Sequence, residues 1–420
     1  MNTDKLKAPS VPEILAAAER LQDIVEKTPL TLNRNLSDKY GANIYLKRED
    51  LQVVRSYKIR GAFNKISGLS EAEKANGVVC ASAGNHGQGV AYACNELAIH
   101  CTVFMPTPTP SQKLNQVKNY GGKYVDTVLV GDTFDDAFLE AKKFCGRSEA
   151  TFIHPFNDAE VIAGQATVGV EILNNIKEPI DYMILPIGGG GLASGISTYF
   201  KEHSPETKII GVEPEGAAAM HASVVAGELV TLANIDKFVD GAAVKTVGEL
   251  TFQLCRDNLS KFITVPEGQI CTTILKMYNE EAIVAEPAGV LSISALELMQ
   301  DEIKGKNVVC ILSGGNNDIV RTEEIKERSL LYEGLKHYFI VSFPQRAGAL
   351  REFLVDVLGP NDDITHFQYS KKNSRERGPA VIGIELKYKK DFAGLMQRLE
   401  KVNFKYEYLN ENPDLFHHLI

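Results

Sequence analysis

Residues 56–62 read SYKIRGA, and the lysine in this stretch, Lys58, is the position from which the fold can be worked out. Residues 44–51 before it read as a strand that ends in charge, and residues 62–69 show the amphipathic pattern of a helix. Lys58 is therefore predicted to lie near a strand-to-helix junction, where Gly61 and Ala62 allow another backbone to approach closely. A lysine held in a pocket loses proton affinity through desolvation and becomes a nucleophile near neutral pH. Taken alone, however, one lysine at a helix start is better explained as a solvated side chain.

The composition indicates a globular protein with a large core. The chain has 420 residues, of which 44% are hydrophobic and 24% are charged, and its net charge is −9. This charge disfavours a nucleic-acid binder, and the apolar runs are too short for a membrane span. Seven cysteines show no CxxC pattern, and the N-terminal residues have no apolar signal-peptide core. We therefore predict a cytoplasmic protein with reduced thiols.

Strand-like and helix-like segments alternate from residue 43 to residue 328, with strands predicted at residues 101–105 and 307–312 among others. Such alternation favours parallel sheets covered by helices, so residues 1–328 are predicted to form an α/β catalytic domain. From residue 336 the order changes to βαββαβ, the ferredoxin-like motif, which predicts a second, smaller domain over residues 336–420. Its elements are predicted at residues 336–343, 348–358, 364–371, 381–388, 392–401 and 406–409.

Three loops follow predicted strands, at the edge where open α/β sheets bind ligands. The first, residues 82–89 (SAGNHGQG), precedes a helix whose free N–H groups suit a carboxylate. The second, residues 188–191, is four consecutive glycines, and a nest of N–H groups around a phosphate is the natural reason for them. It fits neither GxGxxG nor a P-loop. The third, residues 313–316 (SGGN), offers the Ser313 hydroxyl to a ring nitrogen.

A reactive lysine, a phosphate cradle and a hydroxyl in one α/β protein indicate pyridoxal 5'-phosphate. These four motifs, in this order, resemble the serine/threonine dehydratase branch of the fold-type II pyridoxal-phosphate enzymes over about residues 10–325. The segment FPQRAGAL at residues 343–350 looks like the regulatory ACT-like domain of biosynthetic threonine dehydratases. The resemblance implies two open, mostly parallel α/β subdomains with the cofactor between them, plus a C-terminal βαββαβ ACT-like domain.

The same resemblance implies roles for individual residues. Lys58 would carry the cofactor covalently and act as the general base once substrate displaces it. Asn85 would bind the cofactor's 3-hydroxyl, residues 188–192 its phosphate and Ser313 its pyridine nitrogen. The full cofactor-binding set is Lys58, Tyr57, Asn85, Gly188, Gly189, Gly190, Gly191, Leu192, Gly241 and Ser313. The substrate carboxylate would bind at Ser82, Ala83, Gly84, Asn85 and His86.

Three further positions complete the expectations. In the C-terminal domain, the implied effector contacts are Gln345, Arg346 and Gly348. Glu213 matches a divalent-cation cluster of some relatives, but Ala219 stands where an acidic residue is expected, so no metal is predicted. Glu286 belongs to a family motif, EPAG at residues 286–289, and receives no role.

The family's reaction is the conversion of L-threonine to 2-oxobutanoate and ammonia, the committed step of isoleucine biosynthesis. L-Serine is an alternative substrate, isoleucine and valine are the implied effectors, and the implied assembly is a homotetramer. Alternatives of the same fold are a serine-preferring dehydratase, a serine racemase and a β-replacement synthase, against which the C-terminal domain argues. An amino-acid sensor with a dead catalytic domain is disfavoured by the intact motifs. A purely structural dimerisation role for the C-terminal domain stays open.

Overall fold

Two mostly parallel sheets carry the first part of the chain in a computed structural model, which describes residues 7–369, 376–402 and 404–412. The chain divides after Ile319 into two units, each with its own sheets. The last two residues of the strand predicted at 364–371, and residues 413–420 of the predicted second domain, lie outside the described residues. The parallel sheets confirm the predicted α/β class.

The strands of the described chain fall into three sheets. Their bounds are β1 (Leu30–Leu32), β2 (Asn43–Arg48), β3 (Val78–Ala81), β4 (Cys101–Met105), β5 (Val125–Leu129), β6 (Thr151–Phe152), β7 (Tyr182–Pro186), β8 (Lys208–Pro214), β9 (Lys261–Val265), β10 (Asn307–Leu312), β11 (Lys336–Pro344), β12 (Asp363–Tyr369), β13 (Arg377–Glu385) and β14 (Lys405–Tyr408).

The α-helices range from one turn to nearly five turns. Their bounds are α1 (Val11–Arg20), α2 (Arg34–Tyr40), α3 (Lys58–Ser67), α4 (Glu71–Asn76), α5 (Asn85–Leu97), α6 (Ser111–Gly121), α7 (Phe134–Ser148), α8 (Ala159–Asn175), α9 (Gly191–His203), α10 (Ala219–Ala226), α11 (Glu249–Asn258), α12 (Glu267–Glu281), α13 (Leu291–Ser294), α14 (Gln300–Ile303), α15 (Thr322–Glu333), α16 (Ala349–Asp356) and α17 (Asp391–Lys401). Short 3₁₀ segments are Glu49–Leu51, Gly122–Tyr124, Glu215–Ala217, Pro287–Val290, Ala295–Met299 and Ile319–Arg321.

The larger sheet has the strand order β1-β2-β10-β7-β8-β9, and only its β1–β2 pair is antiparallel. The smaller sheet, β5-β4-β3-β6, is parallel throughout. The carboxyl ends of β2, β10 and β7 therefore lie side by side, and each is followed by one of the predicted site segments. This arrangement places those segments at the sheet edge where ligands bind.

Helix α8 carries a long buried stretch, since residues 161–170 are all buried. It packs against α3 and α9 at positions where one helix carries glycine. A Cβ at Gly164 would lie 2.5 Å from the carbonyl oxygen of Arg60 in α3, and a Cβ at Gly195 would lie 2.6 Å from that of Ile162. The helix backbones can approach this closely only because these side chains are absent.

The second unit begins with α15 and forms an antiparallel sheet of order β12-β13-β11-β14, with α16 and α17. Its core is apolar and aromatic, with Phe339, Phe353, Ile382, Leu395 and Leu399 all fully buried. The element order from β11 to β14 confirms the predicted βαββαβ motif. Among the described residues of both units, no helix combines the length and the apolar character that a membrane crossing requires.

Gly164→Ala is expected to lower the free energy of unfolding by about 1–3 kcal/mol, because the new methyl group overlaps the backbone of α3. Gly146→Ala is the matched control, since Gly146 is also a helical glycine and a Cβ there meets nothing within 4 Å. The control should be neutral or up to about 1 kcal/mol more stable. Urea unfolding measures both, and equal stabilities of the two variants would contradict the packing of α8 on α3.

Candidate active site

Lys58 is the first residue of α3, on the segment that leaves the carboxyl end of β2. Its side chain is half-buried, and its Nζ donates a hydrogen bond to the carbonyl oxygen of Pro155 at 3.2 Å. Burial lowers the pKa of Lys58 to about 8, although the carboxylate of Glu286 acts in the opposite direction. A useful fraction of this amine is therefore neutral near physiological pH, and a neutral amine is both a nucleophile and a base.

A buried network of ion pairs fixes the helix turn that carries Lys58. Arg60 donates from Nε and Nη2 to the two oxygens of Glu49, each at 2.8 Å, and from Nη1 to Glu171 at 2.7 Å. The Lys47 ammonium donates to the same Glu171 carboxylate at 2.5 Å. Arg60, Lys47 and Glu49 are completely buried. Removing one partner would leave an unpaired buried charge at a cost of about 3–5 kcal/mol, so β2, α3 and α8 are held in one arrangement.

The segment before Lys58 is fastened to the SGGN loop. The Tyr57 N–H donates to the carbonyl of Ser313 at 3.3 Å, and Ser56 forms an isolated β-bridge with Gly314. The Ser313 hydroxyl is buried and donates to the carbonyl oxygen of Ala288 at 3.3 Å. Lys58 and Ser313, which are far apart in the sequence, therefore belong to the same site.

The first loop joins the same site through Asn85, the first residue of α5. Its Nδ2 donates to Glu286 Oε1 at 2.7 Å, and its Oδ1 accepts a hydrogen bond from Asn316 Nδ2 at 2.7 Å. Gly89 brings α5 close to α3, because a Cβ there would lie 3.2 Å from the carbonyl carbon of Lys58. Burial raises the pKa of Glu286 to about 7.

The glycine loop follows β7 and leads into α9. Gly190 has φ +91°, a conformation that favours glycine, and a Cβ at Gly188 would lie 2.8 Å from the Cα of Ala242. A methyl group at Gly189 would overlap the ring of Phe156, and the Thr251 hydroxyl donates to the Gly189 carbonyl at 2.6 Å. Within the described chain, the backbone N–H groups of residues 188–192 donate no hydrogen bond. Free donors at a helix N-terminus are what a phosphate group requires.

These contacts close into a ring around the Lys58 amine. Lys58 meets Pro155, and the adjacent Phe156 packs on the glycine loop. The glycine loop contacts Ala242. A Cβ added to Gly241, the residue before Ala242, would lie 2.9 Å from the side chain of Ala288. The ring then continues through Glu286 to Asn85 and through Gly314 back to the lysine segment. The predicted cofactor residues are thus brought together, and their free donors and amine fit a phosphorylated aldehyde.

The predicted substrate loop borders open space, because a Cβ at Gly84 would meet nothing within 4 Å. The hydrogen bonding of the His86 ring bears on its predicted role in this carboxylate site. Its Nε2 donates to the Ile153 carbonyl at 2.9 Å, so its buried Nδ1 is an acceptor, and that atom has no partner within the described chain. Burial lowers the pKa of His86 to about 3. A neutral acceptor does not attract a carboxylate, so the N–H groups of the first turn of α5 are the donors available there.

Glu213, at the end of β8, lies in a different environment. Its buried carboxylate accepts hydrogen bonds from the backbone N–H groups of Met220 at 2.8 Å and His221 at 2.7 Å. Burial raises its pKa to about 7. No group of three or more His, Cys, Asp or Glu side chains suited to a metal ion occurs in the part of the chain that the structure describes.

The predicted effector residues lie at the turn from β11 to α16. The Gln345 N–H donates to the Glu376 carbonyl at 3.0 Å, while its side-chain Nε2 is buried and finds no hydrogen-bond acceptor among the described residues. Arg346 is exposed and pairs with Glu352. Gly348 has φ +85° and caps α16.

Four residues at the site escaped the sequence interpretation. Phe156 and Thr251 support the glycine loop, and Asn316 and Glu286 contact Asn85. Asn316 was visible in the SGGN motif and Glu286 in EPAG, but neither motif shows its partner. Phe156 and Thr251 carry no motif at all.

Comparisons with known proteins agree with this geometry. Residues 21–314 match the family of pyridoxal-phosphate dependent enzymes, and residues 327–419 match the C-terminal regulatory domain of threonine dehydratase. The L-threonine dehydratase biosynthetic IlvA of Halalkalibacterium halodurans is 58% identical over 410 residues, which cover 98% of this chain and 99% of that protein. The chain belongs to the biosynthetic threonine dehydratase family. Another member, from Bacillus subtilis, is 57% identical and covers 98% of this chain and 97% of its own.

A solved structure of a threonine deaminase is also similar to this chain. The processed form of threonine deaminase isoform 2 from Solanum lycopersicum matches with a TM-score of 0.72 and 40% identity, covering 78% of this chain and 94% of that one. Membership in the biosynthetic threonine dehydratase family confirms the predicted fold-type II enzyme with a C-terminal regulatory domain. It also confirms pyridoxal phosphate as the cofactor.

The rate at which cofactor-free protein takes up pyridoxal phosphate should rise with pH and level off above about pH 8. The reason is that the Lys58 amine attacks only in its neutral form, which predominates above its pKa. Growth of the visible absorption of the bound cofactor measures the rate, and Lys58→Ala should show none of this absorption at any pH. A rate that keeps rising toward pH 10.5, the pKa of an ordinary lysine, would contradict the lowered pKa.

Proposed function

We propose that this chain converts L-threonine to 2-oxobutanoate and ammonia, the committed step of isoleucine biosynthesis, in the cytoplasm. The observation that supports this most is the chain of contacts that links Lys58, an amine of lowered pKa, to the glycine loop, Asn85 and Ser313. Two relatives at 58% and 57% identity are named for threonine dehydration and align with this chain over 99% and 97% of their own length. Residues 327–419 of this chain match the C-terminal regulatory domain of threonine dehydratase.

Lys58 has two roles in this proposal. Its Nζ would hold the cofactor in the resting enzyme, and the same amine would act as the general base that removes the proton from the substrate Cα. When bound, pyridoxal phosphate withdraws electrons from that carbon through its conjugated ring. Because the pKa of Lys58 is about 8, the amine can both take up this proton and release it near neutral pH.

The other residues position the reacting atoms. The N–H groups of residues 188–192, at the positive end of the α9 dipole, hold the phosphate. Ser313 offers a hydroxyl to the pyridine nitrogen, and a hydroxyl does not force that nitrogen to be protonated as a carboxylate would. This limits electron withdrawal and favours prompt loss of the β-hydroxyl over transamination. The first turn of α5 holds the substrate carboxylate, so the Cα–H bond is directed at Lys58.

The net chemistry balances without another reactant. The Cα–H and Cβ–O bonds of threonine break, and the hydroxyl leaves as water. The unsaturated amine product then tautomerises and is hydrolysed, which consumes one water and releases ammonia and 2-oxobutanoate.

Regulation is proposed to act through the second unit. Gln345, Arg346 and Gly348 form the turn at which the amine or carboxylate of isoleucine or valine would bind. The Gln345 Nε2, which has no acceptor among the described residues, is a donor for such a group. One βαββαβ module is described, so an effector site shared between the subunits of a homotetramer suits it. An effector controls activity only if it binds two states of the enzyme unequally.

An assay of 2-oxobutanoate release from threonine, with and without isoleucine, tests substrate and regulation together. We expect turnover of threonine that isoleucine lowers and valine restores. Lys58→Ala should lose about 100-fold or more of the activity while keeping its fold, since it lacks the proposed base. Circular dichroism of this variant is the control for folding.

Three results would overturn the proposal in different ways. Turnover of serine or an O-activated serine without turnover of threonine would favour a serine dehydratase or β-replacement synthase. Conversion of L-serine to D-serine would favour a racemase. Absence of the visible cofactor band in the purified protein would favour an amino-acid sensor with an inactive catalytic domain.

A further inference from the structure

We propose that Glu286 is a positioning residue that sets the orientation of the Asn85 amide toward the cofactor. The inference rests on the proposed function, in which Asn85 binds the cofactor ring. Glu286 is buried and lies in the ring of contacts, yet the mechanism gives it no bond to make or break. Its hydrogen bond with Asn85 indicates that it orients the Asn85 amide.

The Asn85 side chain is held at both ends. Its Nδ2 donates to Glu286 Oε1 at 2.7 Å, and its Oδ1 accepts from Asn316 Nδ2 at 2.7 Å. Turning the amide over would place its oxygen against the Glu286 carboxylate and its NH₂ group against that of Asn316. Both contacts would then be repulsive, so one orientation is selected. In that orientation the second N–H of Nδ2 stays free for the oxygen of a bound ring.

Asn316 is itself fixed, so the selection does not depend on a mobile partner. Its Nδ2 also contacts the carbonyl oxygen of Val54 at 2.9 Å and Gln88 Oε1 at 3.1 Å. Three acceptors around one NH₂ group define which end of the Asn316 amide faces Asn85. The backbone N–H of Asn316 in turn favours the charged form of Glu286, so the three side chains form a closed network.

Two glycine backbones border the Glu286 carboxylate. A methyl group at Gly314 would overlap its carboxylate, and a Cβ at Gly241 would lie 3.6 Å from Oε1. Burial raises its pKa to about 7, with Asp240 acting in the same direction and Lys113 in the opposite one. Tyr57 and Lys58 also lie within the range of its charge. Placing an acid here costs folding energy, and a hydrogen-bond acceptor for Asn85 is what the carboxyl provides in return.

A double-mutant cycle tests whether Glu286 acts through Asn85. The dissociation constant for pyridoxal phosphate and the wavelength of its visible band are measured for wild type, Glu286→Ala, Asn85→Ala and the double variant. We expect Glu286→Ala to weaken cofactor binding about tenfold and to shift the band, because the Asn85 amide is no longer oriented. In the Asn85→Ala background the same change should have almost no further effect.

Glu286→Gln supplies the conservative comparison, since its carbonyl oxygen can still accept from Asn85 without the charge. It should lose only about threefold in affinity, and this loss should also vanish in the Asn85→Ala background. If Glu286→Ala does not fold, the cycle with Glu286→Gln decides the question. Glu213→Gln is the matched control, because Glu213 is also buried with a pKa near 7, but its carboxylate accepts hydrogen bonds from backbone N–H groups of α10. Its cofactor band should not move.

Additive losses in the cycle would overturn the proposal, since Glu286 would then act independently of Asn85. Wild-type affinity and spectrum in both Glu286 variants would also overturn it. These outcomes differ from failure of the proposed function, in which the wild-type protein itself would show no cofactor band or no turnover of threonine.

Discussion

The buried salt-bridge network around Arg60 is the constraint on which the site depends. Arg60 lies two residues after Lys58 on α3 and pairs with Glu49, which directly follows β2, and with Glu171, on α8. Burial alone would lower the pKa of Arg60, but these two carboxylates outweigh it and raise the pKa above its usual value. Such a network adds little net stability compared with apolar packing, yet it is costly to disrupt. Its effect is to fix the position of the first turn of α3, and with it Lys58.

With Lys58 fixed, the chemistry follows from where the neighbouring loops end. The segments after β2, β7 and β10 open at one edge of the larger sheet, and α5 approaches the same place from the smaller sheet because Gly89 lets it touch α3. Desolvation then makes the amine reactive, and the glycine-loop N–H groups, which have no acceptor in the described part of the chain, are available to an anion. Stability and reactivity are therefore divided between neighbouring residues: Arg60 is fully paired, and Lys58 is only weakly held by the Pro155 carbonyl.

Local sequence patterns predicted the parts of this structure that local forces determine. The bounds of β4 and β10 match the predictions because apolar runs end at turn residues, and the βαββαβ order is visible in the alternation alone.

The three residues of β1 were missed since they form a strand only by pairing with β2, and β9 and α10 likewise depend on distant packing. Lys47, Glu49 and Arg60 received no predicted role, because the long-range pairing that buries them is not visible in the local sequence. Glu286 could not be assigned because its partner Asn85 lies 201 residues away. His86 was predicted in a loop, but α5 already begins at Asn85, so His86 lies in its first turn, and its free ring nitrogen is an acceptor, which only the contact with Ile153 reveals.

Reduction of the wild-type holoenzyme with borohydride, followed by peptide mass mapping, tests the central claim most directly. Borohydride converts the bond between the cofactor and its amine into a stable linkage, so the labelled residue identifies the amine. The account predicts one labelled peptide, with the added mass on Lys58, and loss of the visible band on reduction. A label on another lysine, such as Lys47 or Lys113, or full reduction without any labelled peptide, would contradict the assignment of Lys58 and the site organised around it.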